Sequence, residues 1–201
     1  MDRQFLEINV KLLHIDASIL GENSASRALT AEIVARLQAQ SPGLALTRLD
    51  LDAEPLPHLS AGSLAKLDAT EAARAEKALN DFLDADVLVI GAPMYNFSIP
   101  STLKAWIDRV AIAGKSFRYT ATGPEGLAKG KVAILAITQG GVHELGGPSE
   151  HHESYLRFVL NFLGISDVRV VRAQGLARSD LRESALKDAL RAVPASLAQA
   201  A

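Results

Sequence analysis

A turn rich in aromatic residues follows a strongly apolar segment near the middle of the chain. Residues 87–90 are apolar and uncharged, and residues 94–97 (Met-Tyr-Asn-Phe) lie between Pro93 and Pro100. The apolar run is typical of a parallel strand buried on both faces, so we expect the turn at the carboxyl end of that strand. Each proline restricts its own backbone and that of the preceding residue, which gives the turn a defined shape. A flat aromatic ligand could stack on it, or the aromatic side chains could simply cap the core.

A serine-rich loop precedes the first predicted helix and could bind an anion. Ser18, Asn23, Ser24 and Ser26 bring hydroxyl and amide groups to the point where that helix begins. A helix N-terminus offers unpaired N–H groups and a favourable dipole, which suits a phosphate monoester. The loop contains neither a G-x-G-x-x-G pattern nor a P-loop lysine, which argues against a tightly held dinucleotide and against ATP chemistry. A simpler interpretation is that Ser24 only caps the helix.

A glycine loop follows another apolar segment, at residues 138–141 (Thr-Gln-Gly-Gly). Glycines let the backbone approach a ligand closely and leave N–H groups exposed, so this loop could hold the polar edge of a ring. An ordinary turn would explain the same glycines. Just beyond the loop, the imidazole of His143 could meet an oxygen or nitrogen of a substrate, or it could face solvent.

Several common catalytic groups are missing or poorly spaced. The chain contains no cysteine, which excludes disulfides, thiol nucleophiles and thiolate metal sites. His151 and His152 have Glu150 and Glu153 beside them, but adjacent residues on a helix do not share a face, so we predict no metal site. There is no G-x-S-x-G motif, and Ser98 has no obvious base, so hydrolase chemistry is poorly supported. Any electron transfer by this protein would need a cofactor.

Length and composition indicate one globular domain, which we place at residues 10–201. The chain has 201 residues, of which 48% are hydrophobic and 22% charged, an ordinary globular balance. Its net charge of −2 provides no basic surface for nucleic acid. There is no apolar run of the roughly 20 residues that a membrane helix needs and no signal peptide, which predicts a cytoplasmic protein without membrane contact. Residues 1–9 carry no clear pattern and are predicted to be an extension or a mis-set start.

Hydrophobic periodicity predicts five strands alternating with five helices. The strands are expected at about 11–15, 44–49, 86–91, 132–138 and 168–171, and the helices at about 26–40, 70–83, 100–112, 150–163 and from 180 onward. This alternation in one short domain indicates an α/β fold with a doubly wound parallel sheet. Residues 114–130 lack helical periodicity and are expected to be irregular; loops of this length in compact domains usually have a function.

Five strands and five helices fit the flavodoxin-like order 2-1-3-4-5, a three-layer α/β/α arrangement. The switch point of this topology lies between the first and third strands, and ligands of open α/β sheets bind there. The two loops that meet at this point, 16–26 and 92–99, contain the serine-rich loop and the aromatic turn. A topological rule therefore selects the same segments that their composition singled out, and FMN is the ligand expected there.

Together these segments closely resemble the FMN-dependent NADH-azoreductase family of flavodoxin-like quinone reductases. The resemblance runs from about residue 11 to residue 177. It is carried by the motifs Lys-Leu-Leu-His-Ile-Asp-Ala-Ser (11–18), Ser-Ala-Ser (24–26), Ala-Pro-Met-Tyr-Asn-Phe (92–97), Leu-Lys-Ala-Trp-Ile-Asp (103–108), Phe-Arg-Tyr-Thr (117–120) and Gly-Pro-Glu-Gly-Leu (123–127). It implies a non-covalently bound FMN, with NADH or NADPH as the electron donor.

The resemblance also implies roles for individual residues. The FMN phosphate would be held by Ser18, Ser24, Ala25 and Ser26, the isoalloxazine ring would be flanked by Pro93, Met94, Tyr95, Asn96 and Phe97, and its pyrimidine side would meet Thr138, Gln139, Gly140 and Gly141. Family members work as homodimers in which the partner chain covers each site, so Tyr119 and Phe162 would line the substrate cavity. His143, from its position after the glycine loop and not from the resemblance, is the further substrate contact that we predict. Some members carry an arginine where this chain has Gln139, so the loop lacks that positive charge. No side chain is expected to act as a nucleophile.

These expectations describe an FMN-dependent NAD(P)H oxidoreductase that reduces quinones and azo compounds by two-electron hydride transfer with ping-pong kinetics. Two alternatives stay open. One is a flavodoxin-type FMN electron carrier, a class that usually docks through a strongly acidic surface. The other is an NADPH-dependent reductase of a different acceptor, such as a nitroaromatic compound or a ferric chelate.

Overall fold

A computed structural model describes residues 10–193 of the chain. The predicted extension at 1–9 and the end of the predicted domain, 194–201, lie outside the described residues. The strands are β1 (Lys11–Asp16), β2 (Ala45–Asp50), β3 (Val87–Pro93), β4 (Phe117–Thr120), β5 (Gly123–Gly126), β6 (Val132–Thr138) and β7 (Asp167–Ala173). The helices are α1 (Ala25–Gln40), α2 (Ala61–Leu64), α3 (Ala69–Asp84), α4 (Ser101–Val110), α5 (Glu153–Phe162) and α6 (Ser179–Arg191), with a single 3-10 turn at Gly21–Asn23. No helix in this part of the chain is both long enough and apolar enough to cross a membrane.

Five of the strands form one parallel sheet in the order β2-β1-β3-β6-β7. The predicted order 2-1-3-4-5 does not match these strand labels. Two further strands, β4 and β5, come before the fourth parallel strand, which is therefore β6. These two strands pair with each other in an antiparallel hairpin, in the segment 114–130 that was predicted to be irregular. That prediction was wrong since each strand has only four residues, too few to show an alternating pattern.

Side chains along the central strands alternate between two hydrophobic cores. On β1, Leu13 belongs to the core covered by α3, α4 and α5, whereas Leu12 belongs to the core covered by α1 and α6. On β3, Leu88 and Val89 divide in the same way. The sheet is therefore buried on both faces between two helical layers, as predicted.

Two predicted boundaries shift for identifiable reasons. The third strand continues past its predicted end at 91, because Pro93 still pairs in register with Thr138. The helix predicted from 150 begins three residues later. The carboxylate of Glu150 accepts hydrogen bonds from the amides of His152 (3.0 Å), which is the N-cap residue, and Glu153 (2.6 Å), so Glu150 holds the start of α5 from outside the helix.

Candidate functional site

A cavity of about 200 Å³ lies at the carboxyl edge of the parallel sheet, between the loops that follow β1, β3, β6 and β7. It contains parts of the serine-rich loop, the aromatic turn and the glycine loop. Its walls are formed by Ser18, Leu20, Asn23, Ser24, Ala25, Pro93, Met94, Tyr95, Thr138, Gln139, Gly140, Leu176, Ala177 and Arg182. Among the predicted cofactor residues, Ser26, Asn96, Phe97 and Gly141 adjoin these walls in sequence but do not form them.

The serine-rich loop presents its donors where α1 begins. Ser24 is the N-cap residue, and its Oγ accepts a hydrogen bond from the amide of Arg27 (3.3 Å) and lies 3.1 Å from Oγ of Ser26. The first amides of an α-helix have no acceptor within the helix, so those of Ala25 and Ser26 point out of its end. Ser18, Ser24 and Ser26 are all buried. Hydroxyl and amide donors at the positive end of a helix dipole suit a phosphate.

Arg27 holds the shape of the serine-rich loop. Its guanidinium donates to both carboxylate oxygens of Asp50, at 2.6 and 2.7 Å, and to the carbonyl of Ser18, from Nε at 3.2 Å and from Nη2 at 2.8 Å. The hydrogen bond with Arg27 lowers the pKa of Asp50 to about 2. Arg27 therefore ties the end of β2 to the loop after β1.

The aromatic turn is a two-residue hairpin with a left-handed backbone at its centre. Tyr95 and Ser98 exchange backbone hydrogen bonds of 3.0 and 3.1 Å, and Asn96 and Phe97 between them have φ angles of 49° and 70°. Asparagine tolerates this conformation, whereas it is uncommon for phenylalanine. The amide of His151 donates to the carbonyl of Phe97 (3.2 Å) and helps to hold it. As a result, the Phe97 ring stands 54% exposed beside the cavity, available for contact with a flat ligand.

Tyr95 joins the aromatic turn to the serine-rich loop. Its hydroxyl lies 3.3 Å from Oγ of Ser18 and accepts a hydrogen bond from the amide of Ile19 (3.2 Å). On the other side, the amide of Met94 donates to the carbonyl of Thr138 (2.8 Å), which connects the turn to the glycine loop. Hydrogen bonds therefore link all three predicted loops.

Gln174, which sequence analysis missed, orients the glycine loop. Its Nε2 donates to the carbonyl of His143 (2.9 Å) and to Oε1 of Gln139 (2.6 Å). The backbone carbonyl of His143 can only accept a hydrogen bond, so the NH2 group of Gln174 must face it. Because the same NH2 group also donates to Gln139, the side-chain oxygen of Gln139 must face Gln174. Gln174 belongs to no motif, and only the pairing of β6 with β7 brings it to the site.

The three residues predicted to contact substrate lie in two places. His143 lies edge-on to Phe97, with ring centroids 5.9 Å apart. Tyr119 on β4 is 75% exposed, and Phe162 is the last residue of α5; their ring centroids lie 5.6 and 4.7 Å from that of Phe117. None of the three lines the cavity, and of the three only His143 contacts a residue of the aromatic turn in the single chain.

Comparison with known proteins identifies the family. Residues 10–197 match a family model described as a flavodoxin-like fold. The chain belongs to this flavodoxin-like family. The FMN-dependent NADH:quinone oxidoreductase of Stenotrophomonas maltophilia (strain K279a) is 56% identical over 186 residues, which covers 92% of this chain and 95% of that protein. FMN-dependent NADH:quinone oxidoreductase 1 of Xanthomonas euvesicatoria pv. vesicatoria (strain 85-10) is 53% identical over 182 residues, covering 90% and 93%.

Solved structures agree with this assignment to the flavodoxin-like family. The azoreductase from Bacillus anthracis strain Sterne superposes with a TM-score of 0.83 at 29% identity, covering 92% of this chain and 96% of that one. An FMN-dependent NADH-azoreductase from Bacillus anthracis strain Ames Ancestor, in complex with FMN, gives a TM-score of 0.80 at 28% identity and covers 92% and 97%. The resemblance carried by the sequence motifs is confirmed.

The donor set of this flavodoxin-like protein fits a flavin phosphate better than a metal. The cavity walls carry hydroxyl groups and helix-end amides, which donate hydrogen bonds to phosphate oxygens. Within residues 10–193, no group of three histidine, aspartate or glutamate side chains is placed to hold a metal ion.

A fully buried histidine lies at the start of α5 in this flavodoxin-like protein. Neither ring nitrogen of His152 makes a hydrogen bond of good geometry within residues 10–193, although the ring lies close to the backbone of Ala92. Burial lowers the pKa of His152 to about 4, although the nearby carboxylates of Glu150 and Glu153 oppose the shift. The ring is therefore neutral at pH 7.

The free energy of unfolding is expected to decrease as the pH falls from about 6.5 to about 4. In this window the unfolded chain binds a proton at His152 that the folded chain does not accept, so protons favour unfolding. At about 1.36 kcal/mol per pKa unit, His152 lowers the free energy of unfolding by roughly 3 kcal/mol once the pH has fallen to about 4. Chemical denaturation at several pH values should show this dependence reduced in His152→Leu and retained in His151→Gln, a change at the exposed neighbouring residue. An identical pH dependence in His152→Leu and the wild type would contradict the assignment.

Proposed function

We propose that this protein is an FMN-dependent NADH oxidoreductase that reduces quinones and azo compounds by two-electron transfer. The main support is the cavity at the topological switch point. Its walls combine Ser18 and Ser24, whose hydroxyl groups can donate hydrogen bonds to a phosphate, with the aromatic turn. The relatives named for FMN-dependent NADH:quinone oxidoreduction, which are 53% and 56% identical over nine-tenths of the chain, support the same function.

The residues around the cavity would divide the binding of FMN among them. Ser18, Ser24 and the first amides of α1 would hold the phosphate, because they are the donors at the positive end of a helix. Residues 93–97 would lie against the isoalloxazine ring. Residues 138–141 would meet the polar edge of the ring with backbone amides and with the Gln139 carboxamide, which Gln174 orients.

Bound FMN would supply the two-electron chemistry. The chain would contribute position and environment. Phe97 would exclude water from one side of the ring, and the donors of the glycine loop would stabilise negative charge that develops at its polar edge. His143, edge-on to Phe97, would contact the substrate.

Rapid mixing of the FMN-loaded protein tests the function directly. NADH is expected to bleach the visible absorbance of the flavin quickly, and benzoquinone or methyl red added afterwards should restore it at a rate that supports turnover. Loaded protein that NADH fails to bleach would point instead to an electron carrier. Absorbance restored by a nitroaromatic compound or a ferric chelate, but by neither quinone nor azo dye, would point to a reductase of another acceptor.

We also propose that the protein acts in the cytoplasm as a homodimer in which the partner chain completes each site. The cavity of about 200 Å³ is smaller than the roughly 300–1,000 Å³ of complete ligand pockets. Near the aromatic turn, a second cavity of about 680 Å³ is lined by Tyr155 and Phe158, and Phe158 is 71% exposed. An apolar surface beside an open site suits cover by a second copy, which would bring Tyr119 and Phe162 to the substrate.

The dimer proposal is tested by changing the apolar surface. Phe158→Glu is expected to convert a dimer to a monomer in sedimentation equilibrium, because a stable interface of about 800 Å² per partner excludes an unpaired charge. Leu67→Glu, at a residue 80% exposed outside that cavity, is the matched control and should stay dimeric. A wild-type protein that is monomeric at high concentration would overturn the proposal.

A further inference from the structure

Arg182 is the only charged side chain among the residues that line the cavity at the sheet edge. It lies in the first half of α6, and its Nη1 donates to the carbonyl of Leu176 at 3.2 Å. None of the ion pairs found within residues 10–193 includes Arg182. By contrast, Arg178, one turn earlier, is paired with Asp180 at 2.7 Å. An exposed guanidinium therefore lines this cavity, and no carboxylate in the described part of the chain forms an ion pair with it.

The other arginine near the serine-rich loop cannot supply this charge. Arg27 follows Ser26 directly, but its guanidinium is bound to both carboxylate oxygens of Asp50 and to the carbonyl of Ser18. Its charge is thus neutralised by Asp50, outside the cavity. The glycine loop adds no charge either, because Gln139 is neutral.

The packing of α6 places Arg182 on the same side of the sheet as Ser24 and the start of α1. Ala25 and Leu29 of α1 share one hydrophobic core with Ala185 and Ala189 of α6. The N-terminal parts of both helices therefore face the same cavity, which Ser24 lines from one side and Arg182 from the other.

We propose that Arg182 binds the phosphate of FMN and supplies the positive charge that the serine-rich and glycine loops lack. This inference rests on the proposed function. A phosphate monoester carries a charge near −2 at neutral pH, whereas hydroxyls and amides provide donors without a full charge. The planar fork of arginine matches phosphate oxygens and adds a charge-assisted hydrogen bond. Arg182 then determines how strongly the chain prefers FMN to riboflavin, which lacks the phosphate.

The test is flavin binding by the apoprotein, measured through quenching of flavin fluorescence with FMN and with riboflavin. Arg182→Gln is expected to raise the Kd of FMN about tenfold or more, while the Kd of riboflavin stays nearly unchanged. Arg182→Lys should recover part of the loss, since it keeps the charge but not the fork. Arg178→Gln, at the residue just before the same helix and outside the cavity, is the matched control and should bind both flavins normally. Added salt should weaken FMN binding more in the wild type than in Arg182→Gln.

Two outcomes would overturn the inference. An equal loss of FMN and riboflavin affinity would mean that Arg182 only supports the fold of the cavity. An unchanged Kd for FMN with a raised KM for NADH would mean that the guanidinium meets the phosphates of the dinucleotide. Failure of the proposed function is seen separately, because the wild-type protein would then fail to bind FMN or fail to be bleached by NADH.

Discussion

Changing Ser24 to aspartate is expected to weaken FMN binding by about a hundredfold or more while the apoprotein stays folded. Ser24 lines the cavity and caps α1, and aspartate is as good a helix cap as serine. The carboxylate would face the phosphate directly. At an effective dielectric constant near 20, two unit charges about 4 Å apart repel each other by roughly 4 kcal/mol, which exceeds the roughly 2.7 kcal/mol that corresponds to a hundredfold.

Two comparisons separate charge from structure at this position. Riboflavin lacks the phosphate, so Ser24→Asp should change its Kd only slightly. Ser24→Ala removes the cap and should lower the free energy of unfolding by about 1 kcal/mol, with a much smaller effect on FMN than the aspartate variant has. Titration of the three apoproteins with both flavins, together with thermal denaturation, gives all of these values. If Ser24→Asp bound FMN as tightly as the wild type, the phosphate would not lie at the start of α1.

Changing Gly126 to alanine is expected to lower the free energy of unfolding by about 3 kcal/mol. Gly126 is the last residue of β5, and a Cβ there would lie 2.1 Å from the amide nitrogen of Gly164 and 2.3 Å from the carbonyl carbon of Leu163. Both are backbone atoms in the turn after α5, so no change of rotamer can remove the clash. The hairpin formed by β4 and β5 would have to move away from the end of α5.

That movement would break specific contacts between the hairpin and α5. The rings of Phe117 and Phe162, whose centroids are 4.7 Å apart, would separate, and the hydrogen bond from the amide of Ala128 to the carbonyl of Leu163 (2.9 Å) would lengthen. Calorimetry should show a Tm lower by roughly 6–12 °C. Gly62→Ala is the matched control, because its Cβ would meet nothing closer than 3.7 Å. A Tm for Gly126→Ala equal to that of this control would refute the argument.

Local patterns were enough to predict the parallel sheet and the three candidate loops. The strands Val132–Thr138 and Val87–Pro93 are nearly continuous apolar runs, and the helices between strands show one apolar face. Because each candidate loop directly follows a strand, its place at the carboxyl edge follows from the order of elements alone. The motifs around Ser24 and Tyr95 added the family resemblance.

Other features of the site depend on partners far away in the sequence. The left-handed backbone at Phe97 is held by hydrogen bonds within the turn and from His151, 54 residues later. The late start of α5 depends on the carboxylate of Glu150. The hairpin of β4 and β5 packs against the turn at Gly164, and no periodicity in its short strands indicated it.

Hydrophobic periodicity and turn residues act over a few neighbouring positions, so they were enough to establish the α/β alternation, the two-sided burial of the sheet and the loops that could carry a ligand. Which side chains meet at the cavity depends instead on how distant elements pack. Arg182 lines the cavity because α6 packs beside α1, and Gln174 contacts Gln139 in its wall because β7 pairs with β6. Such contacts are set by how whole elements pack, so no local pattern around either residue could indicate them.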